Sequence, residues 1–183
     1  MKKITSLLAA IWFLLTSCMA APSPENSYAT AMQPALERLE EWQGDLTSME
    51  TLLTESLDAT TGITRLQLIE LYNIAMEYQI TRDEYSRLGL MPLDALVAPA
   101  VKISKDGRSI LDTLSAIEPT DDLRADHQVL VDCVQSQVAF ADELSSSIKA
   151  LNAIDMNKAG ELVACDQFDA SLQKLSAFID ENK

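Results

Sequence analysis

Histidine occurs once in this chain, at position 127, while glycine and proline occur five and six times in 183 residues. Each scarcity excludes something. A dinuclear carboxylate site in a helical bundle takes Glu-x-x-His twice, but here Arg124 stands three residues before His127 and there is no second histidine. Cys-x-x-Cys-His is absent, which excludes covalently attached haem of that type. No EF-hand loop is present, and no serine sits in a nucleophile elbow. Basic residues are outnumbered, fourteen against twenty-eight acidic ones. A surface of that sign repels nucleic acid and anionic lipid headgroups and favours cationic partners. Beyond the N-terminal segment no stretch reaches the run of about twenty apolar residues that a spanning helix needs. What remains plentiful is apolar residues at steps of three and four. With so little glycine and proline, that pattern predicts an all-α domain.

The N-terminus carries the most specific signal. Lys2 and Lys3 precede an apolar run from Ile4 to Leu15, of signal-peptide rather than membrane-spanning length. The run closes on Leu15-Thr16-Ser17-Cys18: aliphatic, β-branched, small, cysteine. This tetrad resembles the lipobox of bacterial lipoproteins. The resemblance implies that residues 1–17 are a signal peptide removed before Cys18. It also implies that Cys18 carries a lipid, with acyl chains such as palmitate, as its membrane anchor. Met19 stands where an aspartate holds enteric-type lipoproteins in the inner membrane, so the family rule implies the outer membrane, if the host has one. The alternatives are ordinary secretion into the periplasm or beyond, with cleavage after Ala20 or Ala21, and a retained membrane anchor. Residues 18–25 read as a short tether, in which Pro22 and Pro24 hold their predecessors extended. Eight residues reach at most roughly 26 Å. Residues 26–183 then form one helical domain, and the mature chain sets twelve basic residues against twenty-eight acidic ones, a formal charge of −16.

Periodicity divides that domain. Tyr28, Met32, Leu36, Leu39, Trp42, Leu46, Met49, Leu53 and Leu57 predict a first helix from about Asn26, with a kink at Pro34 and a weak point at Gly44. Asp58 to Gly62 reads as a turn. Residues 72–80 alternate as a strand does, yet a single strand has no partner in this chain. Leu68, Leu71, Tyr72, Ala75, Met76 and Gln79 also fit one helical face. A second helix over about 65–88 is therefore expected, with a break near Ile80 where Thr81 and Glu84 form a capping box. A third helix runs from Pro92 to about Ile117, kinked at Pro99, with small residues Ala100, Ser104 and Gly107 inviting close approach. Lys105 to Ser109 superficially resembles a phosphate loop but lacks its spacing and a preceding strand. A fourth helix, Asp121 to Leu151, shows the cleanest seam: Leu123, His127, Leu130, Val134, Gln137, Ala141, Leu144, Ile148 and Leu151. Cys165, Phe168, Leu172, Leu175 and Ile179 mark a last helix. The expected fold is an antiparallel bundle of four long helices plus a shorter C-terminal fifth.

Chemistry is sparse. His127 with Met32 or Met49 forms a conceivable non-covalent haem ligand pair, but a core histidine holding hydrogen bonds is the favoured reading. Glu37, Glu41 and Asp45, at successive i,i+4 positions, read as a solvated face rather than a cation site. No catalytic residue, metal site or cofactor is assigned. Three of the four tyrosines fall between residues 72 and 85, so Tyr72, Met76, Tyr78, Arg82 and Tyr85 form the candidate binding surface, against half-buried packing as the alternative. If Cys18 is lipidated, Cys133 and Cys165 remain as an even pair in an oxidising compartment. A simple helical hairpin leaves them about 15 Å apart, so a disulfide requires residues 152–164 to run back along the fourth helix as an extended strap. Two buried free thiols are the competing reading. The functional expectation is a non-catalytic, lipid-anchored cell-envelope protein that binds or scaffolds a protein partner. The alternatives are a bundle carrying a small ligand, metal or haem, and an enzyme using buried carboxylates.

Overall fold

The computed structural model describes residues 23–56, 65–87, 91–155 and 165–182, and every regular element among them is helical. The signal segment, Cys18, most of the tether, the turn expected at 58–62 and residues 156–164 lie outside the described residues.

Helix α1 spans Pro24–Ser56 and runs as one element through Pro34 and Gly44. Proline suits the first helical position, where its missing amide hydrogen forfeits nothing, and Ser23 Oγ accepts the Asn26 amide at 3.2 Å. The apolar stripe is buried from Tyr28 to Trp42 and again at Met49. Helix α2, Arg65–Glu77, is shorter than expected, and a separate helix α3, Arg82–Arg87, follows it. The break lies where the capping residues put it. Gln79 takes a left-handed conformation, φ 50°, and its amide bonds back to the Met76 carbonyl. Thr81 N then donates to Glu84 Oε2 at 2.7 Å, and Glu84 N donates to Thr81 Oγ1 at 3.3 Å.

A 3₁₀ turn, Met91–Leu96, leads into helix α4, Val97–Ser115. Pro99 was expected to kink a longer helix. Its ring forbids α geometry at the carbonyl four residues earlier, so the chain is 3₁₀ before Val97 and α after it. Pro99 thus sits in the first turn of α4, where no amide hydrogen is missed. Helix α5, Arg124–Ala150, follows the 3₁₀ turn Asp121–Leu123, and helix α6, Phe168–Glu181, closes the chain. The α5 seam is buried from Leu123 through Ile148, save for a half-buried Gln137.

Helix α1 packs on α4 and α6, and α5 packs on the same two. Gly107 lies where a Cβ would meet Val138 Cγ2 at 2.4 Å and the Trp42 ring at 3.2 Å, so the small residue sets how closely α4 approaches α5 and α1. Trp42 Nε1 donates to the Ile103 carbonyl at 2.9 Å. The C-terminal helix is therefore a full member of the packing. The second long helix expected alongside it is replaced by α2, joined to the end of α5 through polar contacts.

Cys133 and Cys165 form a disulfide, with Cα atoms 4.8 Å apart. The bond ties α5 to the chain entering α6. After Leu151, which caps α5 at φ 52°, the chain turns back: Ser147 Oγ donates to the Ala153 carbonyl at 3.3 Å, and the Asp155 amide to Glu143 Oε1 at 3.1 Å. This is the return direction that the disulfide demands.

Candidate functional site

Helix α2 and the segments around it hold the residues expected to form a binding surface, but not as one surface. Tyr72 and Tyr85 are fully buried and Met76 nearly so. The two tyrosine rings meet edge to face, with centroids 6.2 Å apart. Tyr72 Oη donates to the carbonyls of Ser147 and Asn152, each at 2.9 Å, at the C-terminal end of α5 where helix carbonyls lack intrahelical partners. Burial, with Asp94 adding to it, pushes the Tyr72 hydroxyl up to about 12. Burial likewise raises Tyr85, whose hydroxyl faces Asp94 Oδ1 at 3.5 Å. Arg82 lies over the Tyr85 ring, 4.9 Å from its centre, and pairs with Asp94 at 2.5 Å. Asn73 supports the same joint: its side chain accepts the Ile154 amide at 2.7 Å and donates to the Ile154 carbonyl at 2.8 Å. Tyr72, Met76 and Tyr85 thus fasten α2 and α3 to the bundle: Tyr72 bonds to the end of α5, and Tyr85 faces Asp94 of the 3₁₀ turn that leads into α4. As binding-surface residues they are corrected to core.

Tyr78 and Arg82 are the exposed members of that set. Arg82 is spent on Asp94 and the Tyr85 ring, and Tyr78, in the turn directly after α2, is 80% exposed with no such engagement of its ring among the described contacts. On the outward face of α2 stand Leu71 and Ile74, in step with Tyr78 at intervals of three and four; the three are 46, 52 and 80% exposed in chain order. At that spacing they make one apolar stripe that runs along α2 into the turn after it. Among the described residues the one other large apolar side chain so exposed is Val101 on α4, so the exposure is concentrated on α2 and the turn after it rather than scattered. Glu70 and Glu77 are exposed one turn-face to the side. Leu71 was expected inside. The buried face of α2 instead centres on Ile69, Tyr72 and Met76. The strand-like alternation of residues 72–80 carried the signal for this stripe: on a helix it means apolar residues on both faces, more than one core can bury.

His127 stands at the opposite end of α5. Tyr28 Oη donates to its Nδ1 at 3.1 Å, and its Nε2 donates to the Leu114 carbonyl at 3.2 Å, at the end of α4. The carbonyl can only accept, so Nε2 carries the proton. Burial pushes the imidazole below its ordinary value, the Leu114 bond opposing. It also raises the Tyr28 hydroxyl, aided by the charge of Asp126. Both ring nitrogens are engaged, as a structural histidine requires. Beside it an open groove of about 790 Å³ runs between the start of α1 and the α4–α5 turn, with Glu25, Glu118, Asp121 and Asp122 on its walls. In the acidic row of α1, Asp45 pairs with Lys102 of α4 and Glu37 accepts from Gln33 at 3.2 Å. No group of three or more potential metal ligands occurs among the described residues. The buried polar side chains among them are five serines and His127.

No described helix is long and apolar enough to cross a membrane. Comparison with family models, curated proteins and solved structures finds no match to this chain.

Proposed function

We propose that this chain is a lipid-anchored cell-envelope protein that holds a helical bundle close to its membrane and presents a docking face to another envelope component. In this reading α1, α4, α5 and α6 form an antiparallel four-helix bundle, and α2 with α3 caps its far end. The observation that carries it is the Leu71–Ile74–Tyr78 stripe, left in water by a helix whose other face is already fastened to the core. The lipobox-like Leu15-Thr16-Ser17-Cys18 supplies the anchor. The groove near His127 is open and edged by carboxylates, which favours docking over carriage of an apolar ligand.

The test begins with the full chain expressed in a bacterium. Detergent-phase partitioning and the mass of the mature N-terminus report the anchor, and Cys18→Ser is expected to lose both the lipid and the partitioning. A wild-type N-terminus at Ala21 without lipid overturns the anchored reading. A photo-crosslinking residue at position 78 is expected to give adducts in membranes that a crosslinker at exposed Glu181 does not. Equal adducts at both positions overturn the docking reading.

A further inference from the structure

The stripe has a position and a flank, and together they define what fits it. Position comes first. Tyr28 touches His127 in the first turn of α5, whereas Tyr72 touches Ser147 in its last. Twenty residues of helix separate His127 from Ser147, roughly 30 Å at the helical rise. Helix α1 begins at Pro24, inside the last two residues of the expected tether, so α2 sits at the end of the bundle remote from the tether. Its apolar stripe is carried away from the membrane that an acylated Cys18 would enter. Charge decides next. Glu70 and Glu77 lie along one edge of the stripe, and the full chain carries a formal charge of −14. A second copy would set acidic edge against acidic edge, and an anionic membrane would meet the same repulsion. Three apolar side chains at helical spacing match the opposing face of another helix.

We propose that the outward face of α2 is a docking site for a basic amphipathic helix, with apolar side chains seated on Leu71, Ile74 and Tyr78 and lysine or arginine along the Glu70–Glu77 edge. The proposal rests on the docking reading above and adds the chemistry of the partner.

Two synthetic eighteen-residue helices serve as probes, sharing one stripe of three leucines but flanked by lysine in one and glutamate in the other. Each is titrated against the full-length lipidated protein in zwitterionic nanodiscs, with empty nanodiscs as blank. The lysine-flanked probe is expected to bind at least tenfold more tightly, and to lose that margin as salt rises. Ile74→Asp is expected to abolish its binding while leaving helix content and Tm near wild type. Glu70→Lys with Glu77→Lys is expected to remove or reverse the preference between probes. Equal affinity for the two probes, or unchanged binding by Ile74→Asp, overturns the proposal. So does a dimer dissolved by Ile74→Asp, or binding of anionic vesicles through this face. Failure of lipidation alone bears on the anchor; the probe preference, measured on the unlipidated chain, still decides the docking chemistry.

Discussion

At the scale of single residues, steric and protonic constraints converge on two positions. Gly107 is helical, and alanine there ordinarily gains about 1 kcal/mol of helix propensity. Here the added Cβ would fall 2.4 Å from Val138 Cγ2, on a β-branched side chain whose rotamer a helix fixes, and 3.2 Å from a Trp42 ring held by its own hydrogen bond. The clash prevails, so Gly107→Ala is expected to destabilise the fold by about 1–3 kcal/mol. Denaturant melts check this, and Val138→Ala added to that variant is expected to recover part of the loss. His127 makes a different prediction. Its folded value lies below the ordinary 6.5 because burial disfavours the charged ring. The unfolded chain therefore holds more protons between the folded value and about pH 6.5. Stability from the neutral ring is complete above about pH 6.5 and drains as pH falls toward the folded value. The stability difference between wild type and His127→Gln is expected to shrink from pH 7.5 to pH 5. Parallel pH profiles would contradict it.

Element boundaries follow from local chemistry wherever a cap is present. The Thr81–Glu84 reciprocal bonds start α3, and Gln79 ends the preceding turn in a conformation that costs a side-chain-bearing residue about 1 kcal/mol. Gln79 is exposed, so little burial is lost with its side chain, and Gln79→Gly is expected to stabilise the protein by about 0.5–1 kcal/mol. A drop in Tm would show that the strain is not there. Leu151 takes the same left-handed geometry at the end of α5, but it packs against the core, so glycine there would trade strain for lost burial.

For the whole molecule, the disulfide is the constraint that matters most. Cys133 and Cys165 are 32 residues apart in sequence, and closing a loop of that length stabilises a fold by about 3–4 kcal/mol on the chain-entropy model. Reduction is expected to lower stability by that order, and Cys133→Ala with Cys165→Ala to match it. Equal denaturation midpoints for oxidised and reduced protein would show that the bond adds nothing. The described start of the connection, residues 152–155, already turns back along α5 at Ala153 and Asp155, as the bond requires. Surface ion pairs such as Lys102–Asp45 and Arg108–Asp142 join α4 to its neighbours, but exposed pairs of this kind contribute about 0–1 kcal/mol each.

The chain alone determined much of the secondary structure, because caps and i,i+4 stripes are local. The α1 and α5 seams, the break before Thr81 and the close approach at Gly107 were readable from spacing and composition. The Cys133–Cys165 pair followed from the lipobox resemblance, which leaves two cysteines, and went against the spacing of a simple hairpin. The outward face of α2 was not. Ile69, Leu71, Tyr72, Ile74, Met76 and Tyr78 place apolar side chains on both sides of one helix, and a period of 3.6 cannot choose between them. The choice was made by acceptors far along the chain: the carbonyls of Ser147, Asn152 and Ile154 took the polar groups of Tyr72 and Asn73. That left Leu71, Ile74 and Tyr78 outside. Tertiary packing likewise gave the C-terminal helix its place against α1 and α5, since an amphipathic stripe says that a helix buries a face but not which neighbours cover it.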